Sequence, residues 1–282
     1  MKIFKERALI KTYLSSKRVE KKSIGFVATM GALHKGHLSL IKKAQQKNDI
    51  VVVSVFVNPT QFDNKEDLIK YPKTLENDIS LLKSVHCDVL FSPSVDEIYN
   101  KNIVSEKFEF DGLEHQMEGK FREGHFDGVG TIVKTLFEII TPDKAYFGEK
   151  DFQQLQIIKK MVEKKQLDVK VKGCKIFREK DGLAMSSRNT RLTKEYRKTA
   201  PFIYKILKKA KKKIERKNAI EITEWVEKKF KNHPLLVLEY FTIADEKTLE
   251  TATEIHPKKK YRAFIAVFAG EIRLIDNIRL TK

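Results

Sequence analysis

Val27-Ala28-Thr29-Met30-Gly31-Ala32-Leu33-His34-Lys35-Gly36-His37 is the stretch on which the fold of this chain turns. The residues leading into it, Ile24 to Val27, form an apolar run of the kind a buried strand uses. A glycine-containing turn follows, and the apolar positions then switch to helical spacing at Leu38, Ile41 and Ala44. Strand, turn and helix in that order point free backbone N–H groups at an anion. His34 and His37 flank Gly36 at the helix start. Without a Cβ, Gly36 lets a bulky group approach the backbone. Imidazoles donate hydrogen bonds to phosphate and gain positive charge as phosphate charge develops. Two helix-start histidines with no task are the plainer alternative; the intervening glycine and the preceding strand favour a ligand.

Working outward, residues 5–20 show helical spacing, with Ala8, Leu9, Thr12 and Leu14 between charged positions. Ile50 to Val57 is a continuous apolar, mostly β-branched run, the pattern of a central parallel strand buried on both faces. It stops at Asn58-Pro59-Thr60-Gln61, where proline cannot donate to a ladder. A helix follows Tyr71-Pro72 through Leu75, Ile79 and Leu82, then a short strand at Val89 to Phe91. Phe108 to Phe110 reads as an edge strand, and the glycine-rich Gly119 to Gly130 as a mobile loop able to close over a ligand. A helix from about Val129 to Ile139, a strand at Lys144 to Phe147, helical spacing from Leu155 to Val162 and a strand at Val169 to Val171 complete an alternating pattern. Such alternation predicts an α/β, Rossmann-like parallel sheet over residues 1–176. In these sheets ligands bind beyond the C-terminal strand ends. The His34 turn, the Asn58–Gln61 turn and Gly148-Glu149-Lys150-Asp151 all fall at such ends.

After Phe177 the pattern changes. Two helices, about 193–216 and 220–231, precede strands at Leu235–Ala244, Tyr261–Phe268 and Glu271–Leu280, with Pro201 dividing the first helix and Gly270 turning a hairpin. Residues 177–282 therefore read as a smaller α+β domain.

The chain has 282 residues, 41% of them hydrophobic, which is core enough to exclude wholesale disorder. No apolar run approaches the roughly 20 residues of a membrane span, and the N-terminal residues lack a signal-peptide core. Cys87 and Cys174 stand far apart with no metal spacing, which predicts a reduced, cytoplasmic protein with no metal site. The net charge is +18. Lysines spread over helix faces such as Lys205 to Lys217 carry much of it, and aromatics do not interleave with them. That favours solvated surface over a specific nucleic-acid partner, and no membrane partner is expected.

The chemistry-bearing residues at the strand ends are two imidazoles, a helix N-terminus, Lys150 and Ser186-Ser187-Arg188. All are donors or cations, as a triphosphate requires. Neither a Walker-type Gly–Lys–Ser loop nor a Gly-x-Gly-x-x-Gly is present, so phosphate is held by another device. Each of these features is weak alone. The residues leave open a nucleotidyltransferase acting on a phosphorylated alcohol, whose acceptor pocket would need cations, and an RNA-binding protein, for which residues 177–282 leave little room.

Six segments narrow the choice: Thr29 to His37, Phe56 to Phe62, Tyr71-Pro72-Lys73-Thr74, Phe121 to Val129, Phe147 to Leu155 and Asp181 to Asn189. Together, and in order along the whole chain, they resemble the pantothenate synthetase (pantoate–β-alanine ligase) family of the HxGH nucleotidyltransferases. Ala28 departs from the proline usual there. The resemblance implies condensation of (R)-pantoate with β-alanine through a pantoyl adenylate, with ATP as substrate alongside Mg2+. It implies catalytic roles for His34, His37, Lys150, Ser186, Ser187 and Arg188, with His37 the proton donor. An ATP site is implied at Met30, Gly31, Ala32, Leu33, His34, Lys35, Gly36, His37, Gly148, Glu149, Lys150, Asp151, Phe177, Met185, Ser186, Ser187 and Arg188. Gln61 and Gln154 are implied to hold pantoate, and Gln61 also β-alanine. Asp78 is carried as an outer-sphere partner of the magnesium. A cytoplasmic homodimer, whose smaller C-terminal domain closes over ATP, is expected.

Overall fold

The computed structural model describes residues 1–62, 65–100 and 102–280. Six strands make one sheet: β1 (Lys2–Phe4), β2 (Ile24–Thr29), β3 (Ile50–Val55), β4 (Val89–Phe91), β5 (Lys144–Gly148) and β6 (Lys170–Cys174). Their order is β1-β4-β3-β2-β5-β6, and every pairing is parallel. Parallel neighbours need crossovers, and helices supply them: α1 (Arg7–Val19), α2 (Lys35–Gln45), α3 (Lys65–Lys70), α4 (Leu75–Ser84), α5 (Val95–Tyr99), α6 (Met117–Phe121), α7 (His125–Ile140) and α8 (Phe152–Lys164). β3 is buried at every position, as its unbroken apolar run requires.

Alternation along β2 shows how both faces are covered. Val27 packs with Leu33, Ile41, Val53, Leu82 and Leu90 in one cluster with α2 and α4. Phe26, one residue earlier, points to the other face and meets Phe137 of α7 edge-on, with ring centroids 6.1 Å apart. Each such side chain contributes about 1.5–3 kcal/mol on burial.

The strand order reverses between β2 and β5. β2 pairs with β3 along all six residues but with β5 only at Gly25↔Lys144 and Phe26↔Ala145. Beyond Phe26 the two strands are no longer paired, toward the C-terminal ends where parallel sheets bind ligands.

Two expectations fail. Phe108 to Phe110 is not a strand. Side chains satisfy its amides instead: Phe108 N–H donates to Asp127 Oδ1 (3.1 Å) and Phe110 N–H to Glu114 Oε1 (2.9 Å). Gly119 to Gly130 is not an open loop but α6 and the start of α7. Gly119, Gly128 and Gly130 answer to close packing, a Cβ on Gly128 lying 2.3 Å from the Thr60 carbonyl oxygen, whereas Gly124 has open space and a left-handed φ of +70°.

The chain divides into two compact units, the first being Met1–Glu149 with Gln153–Lys175. The second begins at Ile176 and includes Lys150–Phe152. It holds α9 (Lys194–Thr199), α10 (Phe202–Lys213) and α11 (Ala219–Lys231) and an antiparallel sheet, β7 (Leu236–Asp245), β8 (Tyr261–Ala269) and β9 (Ile272–Arg279). Pro201 separates α9 from α10, and Gly270, with φ +61°, turns the β8–β9 hairpin. Ile203, Leu207, Val226, Phe230, Ile243 and Ile265 belong to its core. Among the described residues no helix is long and apolar enough to cross a membrane.

Candidate active site

β2 ends at Thr29, whose hydroxyl donates to the Ser54 carbonyl (2.7 Å) and accepts the Gly31 N–H (3.2 Å). Gly31 and Ala32 are both left-handed, with φ +85° and +49°. The Ala32 and Leu33 amides turn inward and donate to the carboxylate of Asp78. His34 then caps α2. Its Nδ1 accepts the Gly36 N–H (3.1 Å), while His37 Nδ1 accepts the His34 N–H (3.3 Å). This is a capping box in which two imidazoles replace the usual Ser and Glu. The rings stack, with centroids 4.0 Å apart and planes at 23°.

The cap determines the chemistry. A ring nitrogen that accepts a backbone N–H bears no proton, so in the neutral ring the proton sits on Nε2. Both histidines are thereby held as Nε2–H donors at the positive end of α2. The amides of Gly31, Ala32, Leu33, His34 and Gly36 are all engaged within the turn. Ala32 and Leu33 donate to the Asp78 carboxylate and the other three to side chains of the turn, so these five backbone donors are not the free N–H groups that the strand–turn–helix pattern leads one to expect. Leu33 is buried in the core, whereas Lys35 is exposed.

Gln61 ends the 3-10 turn Pro59–Gln61 after β3. Its Nε2 donates to Met30 Sδ (2.7 Å) and its Oε1 accepts from Asn58 Nδ2 (3.2 Å), which brings it against the His34 turn. Its main-chain carbonyl is gripped by His125 Nδ1 (2.8 Å) and Arg122 Nη2 (3.2 Å). Buried Asn58 also donates to the Gly128 carbonyl (3.1 Å) and accepts from the Tyr99 hydroxyl (2.5 Å). Burial pushes the Tyr99 phenol above its usual range, against the hydrogen bonds of Thr60 and Asn58. Sequence reasoning gave Asn58, Tyr99, Arg122 and His125 no role. The Asn58-Pro59-Thr60-Gln61 and Arg122-Glu123-Gly124-His125 segments were the available signal.

Gly148 ends β5, and Glu149 to Asp151 form a 3-10 turn before α8. Gln154 is half-buried in the first turn of α8. Its neighbour Gln153 is 4% exposed and fully occupied, donating to the Leu113 and Gln116 carbonyls and accepting the Glu118 N–H. Lys150 lies in the turn rather than on α8 and belongs to the second unit, so helical spacing does not align it with Gln154.

Within the second unit Lys150 is anchored by its carbonyl, which accepts from Asn277 Nδ2 (2.8 Å) of β9. Asn277 in turn accepts from Arg262 Nη1 (2.6 Å), and Arg262 pairs with Glu246 (2.8 Å) and lies over the Phe152 ring at 4.0 Å. Asp276 next to it is buried; burial raises its carboxyl pKa, against a two-pronged bond from Arg178. Asp151 lies 3.8 Å from the Lys150 ammonium. A Met185 N–H bond to the Phe177 carbonyl (3.0 Å) joins those two residues. Ser186 caps the 3-10 turn Ser187–Arg191, its hydroxyl accepting the Arg188 N–H (3.3 Å).

Among the described residues no group of three or more His, Cys, Asp or Glu side chains could hold an ion. Asp78 is fully buried and faces the turn's amides, which corrects its reading as a partner of magnesium.

A family model described as pantoate-beta-alanine ligase matches residues 2–279. The chain is 56% identical over 281 residues to the pantothenate synthetase of Flavobacterium psychrophilum, covering 99% of this chain and 100% of the relative. It is 54% identical to that of Christiangramia forsetii, at 99% of both. The crystal structure of pantothenate synthetase from Thermus thermophilus matches with TM-score 0.92 and 37% identity over 100% of both chains. Pantoate-beta-alanine ligase from Francisella tularensis, complexed with beta-gamma ATP and beta-alanine, matches at TM-score 0.81 and 37% identity over 99% of this chain and 98% of its own. Matched end to end in both sequence and fold, the chain belongs to the pantoate–β-alanine ligase family.

Proposed function

We propose that this enzyme condenses (R)-pantoate with β-alanine in two steps that use ATP, and that the residues above divide the work as follows. A pantoate carboxylate oxygen attacks the α-phosphorus, the bond to the β-phosphate oxygen breaks, and pyrophosphate leaves. The β-alanine amine then attacks the acyl carbon, the bond to AMP breaks, and the amine gives up a proton. His34 and His37 act on the developing phosphoryl charge through Nε2–H, with His37 the proton donor. Lys150, Ser186, Ser187 and Arg188 supply cationic and hydroxyl donors to phosphate. Met30 to His37, Gly148 to Asp151, Phe177 and Met185 line the nucleotide. Donors aimed at charge that develops in the transition state are worth more than equally strong ground-state contacts. ATP enters as its magnesium complex: the metal arrives on the phosphates.

Gln61 and Gln154 hold pantoate, and Gln61 also meets β-alanine. A neutral amide donates to an oxygen and accepts from a hydroxyl without pinning the carboxylate that must attack. The observation carrying this reading is the contact of Gln61 with Met30, which sets an amide against the turn that leads to His34. The family's usual form supports a homodimer in the cytoplasm, and two buried free thiols accord with a reducing compartment. Sedimentation of the purified protein tests the dimer.

The deciding experiment is exchange of labelled pyrophosphate into ATP. The acyl adenylate predicts exchange with pantoate alone. Exchange that strictly requires β-alanine overturns the two-step reading.

A further inference from the structure

We propose that Asp78 is a positioning residue for the His34–His37 pair: its buried carboxylate holds the turn that delivers both imidazoles. The proposal rests on the functional reading above. Asp78 is in the first turn of α4 and has no exposed surface. Its two oxygens divide the turn between them. Oδ2 accepts the Ala32 N–H at 3.0 Å and Oδ1 the Leu33 N–H at 2.7 Å, while the Thr74 hydroxyl lies 3.4 Å from both. A buried carboxylate needs such partners, and the α4 N-terminus adds its dipole.

The backbone it grips is one that would not persist alone. Ala32 is left-handed with φ +49°, directly after left-handed Gly31, and an alanine adopts that conformation only when its surroundings over-determine it. The turn also sits directly on the carboxylate: a Cβ on Gly31 would lie 3.0 Å from Asp78 Oδ2 and 3.1 Å from Val55 Cγ1. One residue beyond Leu33, the His34 N–H donates to His37 Nδ1 and the His34 ring accepts from Gly36. The line of dependence runs from the Asp78 oxygens to the Ala32 and Leu33 amides. From there it passes to the His34 backbone and the two Nδ1 bonds, and so to the direction of the two Nε2–H groups. Asp78 reaches the reaction only through the histidines.

Asp78→Asn tests this. The amide keeps the shape but offers one acceptor for two N–H groups, and its NH2 opposes the other. Three readings are taken: pyrophosphate exchange with pantoate, the KM for ATP, and long-range proton–nitrogen spectra of the histidines in the ligand-free protein. Wild type should show His34 and His37 with unprotonated Nδ1. In Asp78→Asn, exchange kcat should fall about 10- to 100-fold, as expected for a displacement approaching 1 Å. The KM for ATP should change less than about threefold, and the two imidazoles should lose their single tautomer. Adding Ala32→Gly, which tolerates φ above zero, should recover part of the rate. If Asp78→Asn does not fold, Gly31→Ala strains the same turn from the other side and should give the same fall in exchange kcat and the same loss of a single imidazole tautomer. Wild-type kcat with unchanged imidazole signals refutes the proposal. So does a loss of stability or of ATP binding that leaves the imidazole signals untouched. Wild-type protein that gives no exchange with pantoate refutes the functional reading instead, and the spectra still decide the role of Asp78.

Discussion

Gly128→Ala should damage pantoate use far more than it damages the fold. Gly128 lies in α7, and an added Cβ would stand 2.3 Å from the Thr60 carbonyl oxygen, 2.6 Å from its carbon and 2.9 Å from Gln61 Cα. All three are backbone atoms, so no side chain can swing aside. Restoring even a 3.0 Å contact requires α7 and the Pro59–Gln61 turn to part by about 0.7 Å, and an ordinary 3.4 Å contact by about 1.1 Å. His125 and Arg122 hold the Gln61 carbonyl, and Asn58 ties the turn to the Gly128 carbonyl, so the displacement falls on Gln61. Overpacking of this kind costs about 1–3 kcal/mol. Replacing a helical glycine by alanine returns about 1 kcal/mol. The net is about 1 kcal/mol, a fall in Tm of a few degrees for a protein of this size. A misplacement near 1 Å in a substrate-holding group costs about 10²-fold in rate. The assay is pantoate saturation at fixed excess ATP, beside a thermal melt. Gly130→Ala is the control. Its Cβ would meet the Phe108 ring at 3.0 Å, a side chain that can yield, so stability should change while pantoate saturation holds. Gly128→Ala with kcat/KM for pantoate within twofold of wild type, or a loss confined to ATP, refutes the reasoning.

His37→Ala and Lys150→Ala should each slow adenylation by about 10²–10³-fold, the usual effect of deleting a donor aimed at transition-state charge, with near-normal melting. Near wild-type exchange by either variant removes that residue from the mechanism. Gln61→Ala and Gln154→Ala should weaken pantoate use about 5- to 150-fold, from the roughly 1–3 kcal/mol lost when a buried hydroxyl misses its amide. ATP saturation should barely move, and substrate titrations of both variants check it. Burial pushes the Cys87 thiol up to about 12 from an ordinary 9.0. The folded protein therefore keeps a proton there that the unfolded chain releases, and stability from this group declines as pH rises from about 9 toward 12. At pH 8 a thiol reagent should modify Cys87 only after denaturant is added; fast modification of the native protein contradicts that burial.

Local pattern alone determined most of the order of strands and helices. The unbroken run at Ile50–Val55 could only be a strand covered on both faces, because apolar periodicity records burial directly. The change from strand to helix across Met30–His37 put the histidine pair at a strand end, and Pro201 marked the break between α9 and α10. What tertiary structure decided was the partner of each backbone group. An amide must be satisfied, but nothing in its own sequence says by what. The Phe108–Phe110 segment has strand composition, yet Asp127 and Glu114 take its amides and no ladder forms. β1 is three residues long and exists because β4 pairs with it. Glycine is the most ambiguous letter, since it serves both freedom and close approach. Contacts such as the Thr60 carbonyl against Gly128 show that glycines of the Gly119–Gly130 stretch sit in closely packed helices and not in an open loop. The same holds at the site. Spacing places the His34–His37 pair and Gln61 each at a strand end, while the residues that hold these segments lie far away in sequence: Asp78 on the turn, His125 and Arg122 on the Gln61 carbonyl, Asn277 on Lys150 from 127 positions downstream. Such contacts leave no period in the sequence, because one hydrogen bond between distant residues constrains two positions and nothing between them.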